Sequence, residues 1–203
     1  MKIMIINGSP RNKGNTSILV DEVIKGCQGQ GPVEVENIVV VRKNIKYCTG
    51  CLRCCYPNSG TGACVIKDDM AEIIDHMLST DALIFGSPNH MGTITAPLLN
   101  FLSRMMPLFE FKTEHDAKGN KTGGEMSSRI RDKKAAIVIS QGDPFFSSAL
   151  VYMVLEKNCH DFGLKRVGDV LSIANLRSQT VIEKKDDLNK AFELGVKLFN
   201  GIR

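Results

Sequence analysis

Apolar residues along this chain fall into two alternating rhythms. Short unbroken runs such as Ile3-Met4-Ile5-Ile6 and Ala82-Leu83-Ile84-Phe85 have the length of strands buried on both faces, and longer stretches between such runs keep helical spacing. In the last of these, Leu188, Ala191, Phe192, Val196 and Leu198 hold one stripe. The pattern predicts strands near 2–6, 33–41, 81–86, 134–140 and 166–173, and helices near 15–26, 68–79, 95–106, 146–161 and 184–200. Strands interleaved with helices in this way predict an α/β fold: a doubly wound five-stranded parallel sheet with helices on both faces. Its ligand would bind outside the carboxyl ends of the strands, at the topological switch. Residues 107–132 break the rhythm. This polar stretch, with Gly119, Gly123 and Gly124, is too long for a plain connection and predicts a lid, a partner-binding arm or partial disorder.

Chemistry enters at the end of the first strand. Asn7-Gly8-Ser9-Pro10-Arg11-Asn12-Lys13-Gly14-Asn15-Thr16-Ser17 runs from a buried strand into a helix, so backbone N–H groups and the positive end of a helix dipole converge on one spot. That arrangement suits a phosphate. Gly8 and Gly14 are separated by five residues, and Asn15 stands where a triphosphate-binding loop has lysine, which argues against nucleoside triphosphate hydrolysis. Pro10 occupies the second glycine position of the dinucleotide fingerprint, which argues against a pyrophosphate. Hydroxyls at Ser9, Thr16 and Ser17, the side chain of Asn15 and the charge of Arg11 instead favour one terminal phosphate, as in FMN.

With Gly14-Asn15-Thr16, the segment Asn7-Gly8-Ser9-Pro10-Arg11 resembles the flavodoxin-like NAD(P)H-dependent FMN reductases. The segment Cys48-Thr49-Gly50-Cys51-Leu52-Arg53-Cys54, followed by Cys64 and Asp68-Asp69-Met70, is similar to the branch that includes the iron–sulfur flavoproteins. Gly86-Ser87-Pro88-Asn89-His90-Met91-Gly92 resembles that family's second flavin loop. The resemblance implies a flavodoxin-like fold in which Pro88, Asn89, His90, Met91 and Gly92 lie along the flavin ring, with His90 where relatives carry an aromatic residue. A third loop, Ser140-Gln141-Gly142-Asp143-Pro144, would close the far side of the ring through Gln141 and Gly142, and Asp143 is expected to cap the helix that follows.

Cys48-x-x-Cys51-x-x-Cys54 brings three thiols into one short loop, with Cys55 and Cys64 near enough to add a fourth. Four thiolates can hold a [4Fe–4S] cluster or zinc, and a metal-free loop is the third reading. The resemblance assigns cluster ligation to Cys48, Cys51, Cys54 and Cys64, while Cys27 and Cys159 fall on helical patterns as small buried hydrophobes.

At 203 residues and 43% hydrophobic, the chain can bury a full core, and one domain over 1–203 is expected, with a cysteine-rich loop at 47–65. A formal charge of +4, scattered lysines and few aromatics argue against nucleic acid, and no run is long enough to span a membrane. A cytoplasmic setting follows, in which the cysteines serve as thiols, ligands or redox groups. The expected function is an FMN-dependent oxidoreductase, reduced by NAD(P)H and reoxidised by a small-molecule or ferredoxin-like partner. It is expected to work as a homodimer or homotetramer. The competing expectation is a flavin- or thiol-based redox sensor without turnover.

Overall fold

The computed structural model describes residues 1–54, 62–115, 117–118 and 120–201. In chain order the elements are β1 (Lys2–Asn7), α1 (Asn15–Gln28), β2 (Glu34–Val39), α2 (Met70–Leu78), β3 (Ala82–Pro88), α3 (Ala96–Ser103), β4 (Phe109–His115), β5 (Lys121–Ser128), β6 (Lys134–Ser140), α4 (Ala149–Asp161), β7 (Lys165–Ser172) and α5 (Lys185–Asn200). The five-stranded sheet has the order β2-β1-β3-β6-β7, and every pairing in it is parallel. The chain runs outward from β1 to β2 and then back past β1 to β3, so the switch lies between β1 and β3. There Gly8 N donates to Gly86 O at 2.8 Å.

Strand alternation splits the core into two layers. Ile3, Ile5, Ile84 and Val138 face α1 and α5, whereas Met4, Ile6, Leu83, Phe85, Ile137 and Ile139 face α2, α3 and α4. On the first side α1 and α5 meet backbone to backbone: a Cβ on Gly26 would lie 2.0 Å from Phe192 O, and one on Gly195 would lie 1.9 Å from Val23 O. Burial on both faces explains why the central strands read as unbroken apolar runs.

Within residues 107–132, the stretch expected to be a lid, a partner-binding arm or partly disordered, β4 and β5 pair antiparallel, and Phe109 stacks on Phe162 with ring centroids 4.3 Å apart. Two helix boundaries differ from the sequence expectation. The helix expected to reach residue 106 ends at Ser103 and gives way to a short 3₁₀ turn at Met106–Leu108. The helix expected from 146 begins at Ala149, because Asp143 Oδ1 accepts from Phe145 N at 2.8 Å and closes a turn in place of capping the helix. Among the described residues no helix is long and apolar enough to cross a membrane.

Candidate functional site

A cleft of about 290 Å³ opens at the carboxyl ends of β1, β3, β6 and β7. Its first wall is the turn into α1. The Asn7 side chain is buried and organises this turn, its Oδ1 accepting from Ser9 N at 2.9 Å and its Nδ2 donating to Ser17 Oγ at 3.2 Å. Ser17 Oγ donates onward to Arg11 O at 3.0 Å, and Arg11 N donates to Ser9 Oγ at 3.3 Å. From outside, Thr95 Oγ1 donates to Gly8 O at 2.8 Å. A loop tied at this many points has little freedom left to lose when a ligand arrives.

At the start of α1, Gly14 stands at the cap position with no side-chain cap, and the first turn holds no acidic residue. The first-turn N–H groups have no intrahelical acceptor, so this end of the helix is ready for an anion.

Of the loop-one residues picked from sequence, Ser9, Arg11, Asn15 and Thr16 line the cleft; Ser17 does not, because its hydroxyl is held between Asn7 and Arg11. The Thr16 hydroxyl shares a 2.7 Å hydrogen bond with Ser140 Oγ. Asn15 turns its side chain away to the segment beyond β7, donating from Nδ2 to Arg177 O at 2.9 Å and accepting at Oδ1 from Val181 N at 3.2 Å.

The second wall follows β3. Pro88, Asn89 and His90 line the cleft, whereas Met91 (φ 54°) and Gly92 (φ 84°) form the turn beyond it, with Met91 92% exposed. Asn89 accepts from Gly92 N at 2.9 Å and donates to Gln141 Oε1 at 2.7 Å. Gln141 is buried, and its Nε2 donates to the carbonyls of Asp143 and Phe146, each at 2.6 Å. Both ends of that carboxamide are thus spent on joining the second and third loops. Gln141 and Gly142 form the third wall.

A fourth wall, Asn175 and Leu176 beyond β7, was not picked from sequence, and neither was Thr95. The topology carried the signal, since every parallel strand delivers its following loop to the same edge.

The described cysteines lie apart from this cleft's lining. Cys48 and Cys51 are exposed, and Cys54 and Cys64 are half-buried. The Arg53 N–H, then the Thr49 hydroxyl, draw the Cys51 thiol below its usual value. Beneath the loop, Arg104 and Asp68 form an ion pair with side chains 1% and 0% exposed, and Arg104 Nη1 donates to Asp68 Oδ2 at 2.6 Å. Arg104 also donates to Lys46 O at 2.5 Å and lies 3.5 Å from Cys64 Sγ, while Asp68 accepts from Lys46 N and Met70 N. Burial would push the Asp68 carboxyl up; the hydrogen bonds from Arg104, Lys46 and Met70 outweigh it and hold the group below its usual value.

Both roots of the cysteine loop therefore meet at one buried pair. Among the described residues no three Cys, His, Asp or Glu side chains converge to hold a metal. The grouping of Cys48, Cys51, Cys54 and Cys64 that the family resemblance implies is not preformed: Cys64 is drawn to Arg104 while Cys48 and Cys51 face outward. Cys55 lies outside the described residues. Cys27 and Cys159 are buried in α1 and α4, and burial pushes their thiols up to about 11 and about 12.

Comparison with known proteins agrees with this geometry. A family model described as NADPH-dependent FMN reductase matches residues 1–157. An iron–sulfur flavoprotein of Archaeoglobus fulgidus is 32% identical over 198 residues, covering 98% of this chain and 79% of the relative. One from Methanocaldococcus jannaschii is 35% identical over 130 residues, covering 63% and 61% respectively. Among solved structures, an FMN-dependent NADH-azoreductase from Bacillus anthracis in complex with FMN shares the fold, with a TM-score of 0.71 at 13% identity over 98% of this chain and 99% of that one.

Proposed function

The chain belongs to the family of NADPH-dependent FMN reductases, and we propose that its cleft holds FMN with the phosphate on the uncapped N-terminus of α1. It is a flavin-dependent oxidoreductase. The observation that carries the site assignment is that bare helix end, opening into a cleft that Ser9 and Arg11 also line. When bound, FMN supplies transfer of a hydride or of single electrons. The protein's part is to bind and orient: Ser9, Arg11 and the first-turn N–H groups take the phosphate, while Pro88, Asn89 and His90 on one side and Gln141 and Gly142 on the other flank the ring. The Asn89–Gln141 bond fixes the spacing of those two walls. The reductant is NAD(P)H, and the acceptor is a small molecule or a ferredoxin-like protein, served by a homodimer or homotetramer.

Charge-assisted hydrogen bonds contribute roughly 1.5–3 kcal/mol each. Combining Ser9→Ala with Arg11→Met is therefore expected to weaken FMN binding at least about ten-fold. Riboflavin, which lacks the phosphate, should lose less than about two-fold. Equal losses for the two ligands in a fluorescence titration would refute the phosphate assignment.

For the cysteine loop the reading is a [4Fe–4S] cluster on Cys48, Cys51, Cys54 and Cys64. The spacing and the names of the two archaeal relatives support it. The described residues do not present a formed site, so the loop would have to close around the cluster, with the Arg104–Asp68 pair as its fixed base. Cys51→Ser should abolish iron and acid-labile sulfide after anaerobic reconstitution while FMN stays bound. Wild-type protein that takes up no iron would make the loop metal-free.

A further inference from the structure

We propose that Asn175, on the loop that follows β7, is a flavin-binding residue that accepts a hydrogen bond from a hydroxyl of the ribityl chain. The inference rests on the reading that the cleft holds FMN. It goes further because Asn175 lies beyond the 157 residues matched by the family model.

Asn175 lines the cleft and is 6% exposed. Its backbone N–H donates to Gln141 O at 2.9 Å, which ties the fourth wall to the third. Its side-chain Nδ2 donates to Ser172 O and to Ser172 Oγ, both at 2.9 Å. A carbonyl oxygen can only accept, so the amide nitrogen must face Ser172, and this fixes which end of the carboxamide is oxygen. That oxygen, Oδ1, is buried and has no donor among the described residues. A buried acceptor left in this condition is disfavoured relative to one in water, and it calls for a donor supplied from outside the chain.

The chemistry of the ligand's parts selects the donor. A phosphate at neutral pH presents acceptor oxygens and cannot satisfy another acceptor. The N–H groups of α1 suit it instead. The ring is flanked by Pro88, Asn89 and His90 and by Gln141 and Gly142. Asn175 sits between these two ends, bonded to Gln141 on one side and followed on the other by Arg177, whose carbonyl is held by Asn15 at the phosphate end. The part of FMN that spans this interval is the hydroxylated chain, each hydroxyl of which can donate. Oδ1 is closed off from water in this conformation, so contact with a hydroxyl requires the loop at 175–176 to shift outward. Leu176 next to it is 75% exposed and does not obstruct that movement.

Three ligands separate the parts: FMN, riboflavin without the phosphate, and lumiflavin without phosphate or ribityl chain. In Asn175→Leu and Asn175→Ala, affinities for FMN and riboflavin should both fall about ten-fold, equivalent to about 1.4 kcal/mol, while lumiflavin affinity changes less than about two-fold. Unchanged FMN and riboflavin binding would overturn the assignment, and so would an equal loss for lumiflavin, which would move the donor to the ring. A measurement on the wild type alone guards against variants that fail to fold. Wild-type protein should prefer riboflavin to an analogue with a hydroxyl-free chain of the same length by at least about ten-fold, and no preference would refute the proposal. Wild-type protein that binds none of these flavins would overturn the FMN reading itself, and this inference with it.

Discussion

Individual side chains around the cleft are mostly committed to one another. Gln141, Asn15 and Ser17 were picked from sequence as ligand contacts, yet their side-chain groups bond to protein: Gln141 to Asn89, Asp143 and Phe146; Asn15 to Arg177 and Val181; Ser17 to Asn7 and Arg11. Sequence shows which residue types gather near a ligand and does not show which of them are used up in shaping the loop. The buried thiols carry a prediction at this scale. Cys27 and Cys159 are held neutral by burial, with thiols pushed up to about 11 and about 12 from an ordinary 9.0. The unfolded chain releases these protons earlier than the folded one, so the stabilisation is complete below pH 9 and is lost as pH rises toward 11–12. In a urea series between pH 8 and 11, Cys27→Ala with Cys159→Ala should flatten the alkaline decline. An identical decline would show that other groups cause it.

Among the elements, the five parallel strands and their helices were legible because burial on both faces leaves an apolar run that polar loops interrupt cleanly. The β4–β5 ribbon was not. Phe109 and Phe111 do alternate with Glu110 and Lys112 in β4, but β5 carries Gly123 and Gly124, which read as loop because glycine contributes no side chain to a strand pattern. The cysteine loop hangs from a second feature invisible to spacing, the pair formed by Asp68 just before α2 and Arg104 just after α3. Removing one partner of a buried pair leaves an uncompensated charge, which typically costs about 3–5 kcal/mol. Arg104→Met should destabilise by that order in chemical denaturation and loosen the cysteine loop to proteolysis. A loss below about 1 kcal/mol would mean that the pair is not the loop's anchor.

For the molecule as a whole, strand order places the switch between β1 and β3, and all four walls of the cleft come from chain segments beyond β1, β3, β6 and β7. Three walls were legible as motifs, whereas the fourth carries no motif and follows from topology alone. The scaffold supplies few titratable groups at the cleft, Arg11 and His90 among those lining it, which suits an enzyme whose cofactor performs the redox step. The measurement closest to the central claim is an anaerobic titration of the FMN-loaded protein with NADPH and, separately, NADH, followed at the flavin absorbance. The account predicts one FMN per chain, bleached by about one equivalent of at least one of the two nucleotides and restored by a quinone. Failure to bind FMN, or bound FMN that neither nucleotide bleaches, would contradict it.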